Sequence, residues 1–551
     1  MEQESKKTEE RPFIFPWGSR RFGLAGLVIG FLLALGVRIP WLWEIPRFID
    51  ELREVNLAYL ISRGQALPLH NAAHDIGALH NYILAGIFDI FGTGIYLPRL
   101  YTAVTSAMTV IFIYLSGSRL YGRVAGVVAA GLLLTNGMHI LVTHMAWANC
   151  TTPFFFTFAL YTTIRAAEQP SGGWLVGAGC SWALALQTHP SIIIFLPVVL
   201  FYIARTPGLQ PLFSRRSGVS VRYHYLAVLA FAAGYSNMLI YNLVSRGGSI
   251  RWAMQKGYTL EQSPGPVSFV HNLIQMWVEL IRTIGSVYQT KSGMLEYLAY
   301  PAFSAGLFML GYGIYRAVRC RRALPVWMLL AGCTVIPWIN GRYGYYIATR
   351  YIMPLVICAL LLIGCAANDL WKLQQRWLSR RWRPIHFAGS VLALGAIILW
   401  QQGLFYDYCR RLADTDMSNR MALQIVEQTR QMAGLDRRGL RVNRRIEILI
   451  DDRVHIPNDP LPVLYRLAGL PYTVLFHSSG ESDSALRIRW LGKLGSNPGI
   501  RRIMVLDEQT YRKLREFIPD ARVVRFETRK VLHGTHGQIR TTVFLASRVS
   551  D

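Results

Sequence analysis

The chain has 551 residues, of which 52% are hydrophobic and only 16% charged. Soluble domains run near a quarter charged, so this composition excludes an ordinary soluble protein. The formal net charge of +26 does not indicate nucleic acid, because many Lys and Arg fall in short loops between apolar runs and no basic, aromatic-laced patch occurs. The N-terminal stretch 1–21 is charged, and no small-residue cleavage site follows the first apolar run, which predicts an uncleaved first helix. Further apolar runs cover 98–117, 124–141, 150–166, 174–187, 190–204, 225–244, 297–315, 323–339, 347–367 and 386–404, after the first at 22–38. Most are long enough to cross about 30 Å of hydrocarbon as helices. A weaker segment, Leu79 to Phe91, is short and holds His80, Asn81 and Asp89.

The positive-inside rule orients these runs. Basic groups lie at Lys6 to Arg21, at Arg119 and Arg123, between Arg205 and Arg222, between Arg316 and Arg322, and between Lys372 and Arg383. All face one side only if 79–91 does not span and lies along the outer surface. The expected fold is therefore a polytopic α-helical membrane protein of about eleven transmembrane helices with juxtamembrane helices in the first outer loop. Its parts are a cytoplasmic tail 1–21, a transmembrane module 22–404 with large outer loops at 41–96 and 245–296, and an extracytoplasmic C-terminal soluble α/β domain 405–551. Within that domain 445–451, 502–507, 522–527 and 541–546 alternate as strands, and 508–517 has helical spacing. No nucleotide-binding loop follows any of these strands. The seven cysteines have no metal or redox spacing, so core packing is expected for them.

Polar chemistry gathers on the outer segments. Asp50 and Glu51 open an amphipathic stretch in which Leu52, Val55, Ala58 and Tyr59 recur at three and four residues, the pattern of a helix with one apolar face. An acid at a helix start is either a cap for free amides or a proton acceptor, and the residues alone leave both open. Next come His70, His74, Asp75 and His80 within one short stretch. The spacing of His70 and His74 suits a metal pair on a helix, but no further ligand is placed to complete a site, so a hydrogen-bonded surface cluster competes with it. Gln187-Thr-His-Pro190 breaks a long apolar run and sets His189 at the membrane edge. Arg342 lies in an outer turn, and Arg350 stands about three residues inside an apolar helix, where a cation needs an anion or a polar cavity; snorkelling is the bland alternative.

The acidic pair after the first span, Leu97-Pro98-Arg99, Gly122-Arg123 and Arg350-Tyr351-Ile-Met-Pro354, in this order, resemble the GT-C class of membrane glycosyltransferases. The likeness is to the dolichyl-phosphate-mannose protein mannosyltransferases and bacterial aminoarabinose transferases, over about residues 20 to 370. The resemblance implies transfer of a sugar from a polyprenyl-phosphate donor to an acceptor hydroxyl on the outer face of a plasma (inner) membrane, with inversion. It implies a catalytic pair, Asp50 as general base and Glu51 positioning the sugar or acceptor, and Arg350 with Arg342, Tyr351 and His189 on the donor phosphate. The phosphate leaves as a stable anion, so such a reaction needs a base and cations and no general acid. His74, Asp75, His80 and Asn149 are candidates to bind the sugar or acceptor; the weak metal candidates are His70, His74 and Asp75. The implied partners are membrane lipid, the polyprenyl-phosphate carrier and an acceptor that is a glycan, a lipid or a protein; no nucleic acid is expected, the lipid-linked sugar is the donor, and a divalent metal is left open. The chain departs from the pattern at Asn149, where a second acid is common, which leans against a divalent metal, and at Gln187-Thr-His189, where a Lys is common. Competing readings are a ligase or polymerase of lipid-linked glycans, a lipid or sugar flippase, and a structural subunit with a degenerate membrane part.

Overall fold

The computed structural model describes the chain from Arg20 to Ser547, apart from 211–217, 256–265, 287–300, 340–349, 378, 380, 435–444, 455–459, 477–484, 486–489, 491–492, 494–499, 519–520 and 531–538. Each apolar run named above is mainly helical over its described residues. The first part holds α1 (Arg20–Arg38), α2 (Glu51–Ser62), α3 (Leu79–Phe91), α4 (Leu97–Leu120), α5 (Arg123–Leu134), α6 (Gly137–Thr143), α7 (Thr152–Glu168), α8 (Gly172–Thr188) and α9 (Leu196–Arg205). Then come α10 (Val221–Gly234), α11 (Ser236–Val244), α12 (Gly248–Gln255), α13 (Pro266–Ile284), α14 (Pro301–Arg319), α15 (Leu324–Ile339), α16 (Met353–Trp377) and α17 (Arg383–Leu412). The described residues of the stretch 245–296, expected as a large outer loop, thus include the helices α12 and α13.

Among the described residues three helices are long and apolar enough to cross a membrane: Leu97–Leu120, Arg350–Trp377 and Arg383–Leu412. Two expected spans are broken instead, by 62° between α5 and α6 and by 65° between α10 and α11. A bend exposes backbone groups to pairing from elsewhere, and the first is used that way: the Asn136 side chain accepts the His139 N–H and donates to Thr283 O at the end of α13. α16 is apolar all round and buried from Met353 to Ala366, as a central helix must be, whereas the apolar side chains of α17 are largely exposed. Gly122, before α5, has φ of 111°, and a Cβ there would meet the Asn368 amide of α16 at 2.9 Å. The Gly-Arg start of this span is thereby a close-packing requirement.

Beyond α17 the chain forms α18 (Arg420–Met432), β1 (Arg445–Asp451), α19 (Leu461–Leu467), β2 (Tyr472–Leu475), β3 (Ile500–Asp507), α20 (Glu508–Leu514), β4 (Arg522–Lys530) and β5 (Ile539–Ser547). The sheet order is β2-β1-β3-β5-β4. β1 runs parallel to both neighbours, with Leu449 opposite Met504, while β5 is antiparallel to β3 and β4. Alternation sorts the strands: Ile448, Ile450, Ile503 and Val505 face α18 and α19, and Leu449, Met504 and Leu506 face α20. The expected strands and the helix at 508–517 are present; β2, α18 and α19 are additional. Leu52, Val55 and Ala58 of α2 and Leu84 and Phe88 of α3 belong to the same apolar cluster as Ile425 and Val426 of α18. α2 therefore lies between the helical bundle and the C-terminal sheet unit.

Candidate active site

α2 begins where the amphipathic pattern places it. Its buried residues are Glu51, Leu52, Glu54, Val55 and Ala58, so two glutamates stand in phase with the apolar stripe. Asp50 occupies the N-cap position, yet its side chain accepts no bond from the helix amides and is exposed. The capping role that residue type alone favours is not taken up.

Glu51 is 1% exposed and forms an ion pair with Arg99 of α4, 2.5 Å from Nη2 and 3.2 Å from Nε. Its Oε2 also accepts the Ala146 N–H at 2.7 Å. Arg99 completes its shell on Leu42 O at 3.0 Å and lies over the Phe48 ring. Both charges are thus desolvated and mutually satisfied, which is the condition for burying them. The Leu-Pro-Arg motif at the start of α4 delivers this cation.

Glu54, one turn on, accepts the Ala148 N–H at 2.8 Å, and His80 Nε2 lies 3.9 Å from the same oxygen. Burial pushes the Glu54 carboxyl up to about 8, against hydrogen bonding from Asn71, Ala148 and Trp147. Burial likewise takes the His80 imidazole down to about 4, although its bond to Ala146 O works the other way. His80 is therefore neutral near pH 7 and donates from Nε2 to that carbonyl at 3.2 Å.

The segment those carboxylates hold leads to the second group of predicted residues. Arg350 places its guanidinium 4.4 Å from the Trp147 ring centre and 4.3 Å from that of Tyr351, and donates to the Tyr351 hydroxyl at 2.6 Å. Tyr351 in turn lies 5.2 Å, ring to ring, from His189. His189 Nδ1 accepts the Ser191 N–H at 3.2 Å. Arg350, Tyr351 and His189 are thus brought together, with Trp147 as a floor. Ala146 and Ala148, on either side of Trp147, bond Glu51 and Glu54, so the acidic and cationic groups meet around 146–148. Asn149 is buried there beside Cys150. Arg342 lies outside the described residues.

His70 and His74 go elsewhere. Their rings lie 4.2 Å apart, and His74 stacks on Trp252 of α12 at 4.5 Å with Nδ1 3.0 Å from the Tyr241 hydroxyl. Asp75 is half-buried between this cluster and Gly77, whose N–H donates to Gln187 O at 3.0 Å. A Cβ on Gly77 would collide with the Gln187 side chain, so glycine permits the first loop to close on the Gln187-Thr-His turn. Among the described residues no three His, Cys, Asp or Glu side chains gather as a metal-ligand group.

The sequence pattern did not single out Glu54, Arg99 or Trp147 as site residues. The available signal was Glu51 and Glu54 recurring with Val55 and Ala58 at helical spacing, which puts acids on a buried face and requires partners for them.

Residues 75–241 match the family model of dolichyl-phosphate-mannose-protein mannosyltransferase. The match begins after Asp50 and ends before Arg350. No curated protein matches by sequence. The fold is similar to that of ArnT from Cupriavidus metallidurans bound to undecaprenyl phosphate, at 12% identity and a TM-score of 0.53 over 96% of this chain and 98% of that one. ArnT from the same organism in the apo state gives 15% identity and a TM-score of 0.53, over 96% and 99% of the two chains. An oligosaccharyltransferase from Archaeoglobus fulgidus in the apo form has a TM-score of 0.48 at 13% identity, over 89% and 70%. Together, the family match over 75–241 and the fold shared with ArnT support a GT-C class membrane glycosyltransferase.

Proposed function

We propose that this chain transfers a sugar from a polyprenyl-phosphate-linked donor to an acceptor hydroxyl on the outer face of the plasma (inner) membrane, with inversion at the sugar carbon. In this reading the chain crosses the membrane about eleven times, its N-terminus is cytoplasmic and its C-terminal sheet unit is extracytoplasmic. Asp50 is the general base. The observation that carries this is the contrast within one helical turn: Glu51 and Glu54 are buried and bonded, while Asp50 is exposed and spends nothing on capping. An exposed carboxylate removes the acceptor proton as the hydroxyl attacks C1, and the bond from C1 to the phosphate oxygen breaks on the opposite face.

Arg350 holds that phosphate. A guanidinium stacked between Trp147 and Tyr351 is fixed in direction at little further entropic cost, which suits it to an anion that gains charge as the bond breaks. Tyr351 and His189 complete the donor pocket. The structure of ArnT bound to undecaprenyl phosphate supports a polyprenyl-phosphate carrier for this fold.

Asp50→Asn tests the base. The variant should be membrane-inserted and as monodisperse as the parent, with transfer reduced at least ~10²-fold. Transfer at the parent rate would remove Asp50 from the mechanism. Arg350→Ala should weaken binding of undecaprenyl phosphate, and unchanged affinity would remove the phosphate role.

A further inference from the structure

Glu54 is bonded at both of its ends, by its carboxyl to the stretch 146–148 and by its backbone to α3. Its carboxyl oxygen accepts the Ala148 N–H at 2.8 Å, and its backbone carbonyl accepts an N–H of the Asn81 amide at 2.9 Å. Glu51, three residues earlier, accepts the Ala146 N–H at 2.7 Å. Two carboxyl groups of α2 thus grip alternate amides of one short stretch, and the residue between those amides is Trp147. The Trp147 ring is the floor under Arg350, 4.4 Å from the guanidinium carbon. His80 closes the other side of the stretch by donating to Ala146 O. We propose that Glu54 is a positioning residue that holds the Trp147 platform, and through it the Arg350 guanidinium, at a set distance from the helix that carries Asp50.

This inference rests on the reading of Asp50 and Arg350 given above. The alternative is that Glu54 merely satisfies a buried amide and has no consequence at Arg350. The two differ in how losses combine. A residue acting through Arg350 has nothing to lose once Arg350 is gone, whereas an independent structural contribution adds to any other loss. Burial also raises the Glu54 carboxyl to about 8, so near pH 7 it is a neutral acceptor that a Gln carboxamide reproduces.

The test uses full-length protein in detergent, undecaprenyl phosphate as the binding probe, and alkylation of Cys150 by a polar maleimide mapped by peptide mass. Cys150 is 1% exposed and stands two residues beyond Ala148, the end of the gripped stretch. Glu54→Ala should weaken probe binding about tenfold, raising KM for the donor more than it lowers kcat, and Glu54→Gln should restore most of the affinity. Glu54→Ala combined with Arg350→Ala should bind no more weakly than Arg350→Ala alone. Cys150 should alkylate slowly in the parent and in Glu54→Gln, and about tenfold faster in Glu54→Ala. Should Glu54→Ala not fold, Glu54→Asp keeps the acid, shortens its reach and carries the same expectations. Additive losses in the double variant, or unchanged Cys150 alkylation, would overturn the proposal. Intact probe binding in Arg350→Ala would sink the phosphate reading instead, and the Cys150 rate would still decide whether Glu54 holds the segment.

Discussion

Asn419 holds Phe48 across the junction between the helical bundle and the C-terminal unit: its side-chain oxygen accepts the Phe48 N–H. The amide nitrogen of the same side chain donates to Trp43 O at 3.0 Å and Pro46 O at 3.1 Å, and its backbone N–H donates to Glu44 O at 2.7 Å. Arg420 adds an ion pair to Glu44 at 2.9 Å. The turn that leads to Asp50 is therefore pinned by residues that follow the last long helix.

Asn419→Ala removes those side-chain bonds and frees the turn. We expect kcat to fall by roughly 10²-fold with donor affinity kept, since a shift of about 1 Å in a base is costly while the Arg350 cluster is untouched. Steady-state kinetics with a binding measurement on the same sample checks this. Loss of affinity with kcat unchanged would mean that the turn serves the donor pocket instead.

Arg99→Met leaves Glu51 buried without its cation. The expected cost is about 3–5 kcal/mol, read as a large drop in Tm. Replacing both residues, Glu51→Leu with Arg99→Met, should recover most of that stability, because an apolar pair avoids desolvating two charges. Thermal unfolding of the three proteins in one detergent decides it. A double variant as unstable as Arg99→Met would show that the Ala146 N–H, not the ion pair, is the costly contact.

Glu54 makes stability depend on pH. Its carboxyl goes from 4.5 to about 8 on folding because burial disfavours the charge. Between those values the folded chain keeps a proton that the unfolded chain has released. The contribution of Glu54 is then greatest at or below about pH 4.5, falls as pH rises through the window at up to ~1.4 kcal/mol per pH unit, and levels off above about 8. Glu54→Gln does not titrate, so its Tm should fall less between pH 5 and pH 8 than that of the parent. Parallel profiles would show that Glu54 is ionised in the folded chain.

The expectation that 79–91 lies beside the membrane rather than across it has its own check. A cysteine at Gly94, between α3 and α4, should react with an impermeant maleimide added to intact cells. Reaction only after the cells are opened would place this turn in the cytoplasm and make 79–91 a crossing.

Much of this architecture is legible along the chain. Apolar runs the length of a bilayer can only be helices, because a backbone in hydrocarbon must satisfy its own hydrogen bonds. Period-two alternation likewise marks β1, β3, β4 and β5, and the helical spacing after Asp50 marks α2. Arg350, Tyr351 and His189 stand out singly, as polar groups where apolar ones belong. What the three-dimensional fold alone decides is which partner each polar group finds. Glu51 meets Arg99 across 48 positions, Glu54 meets Ala148 across 94, and Phe48 meets Asn419 across 371. Helical spacing puts Glu51 and Glu54 on the apolar face, but it cannot say that this face turns inward onto a cation and two amides. An acid's role depends on whether water or protein surrounds it, and that is a property of packing, not of order along the chain.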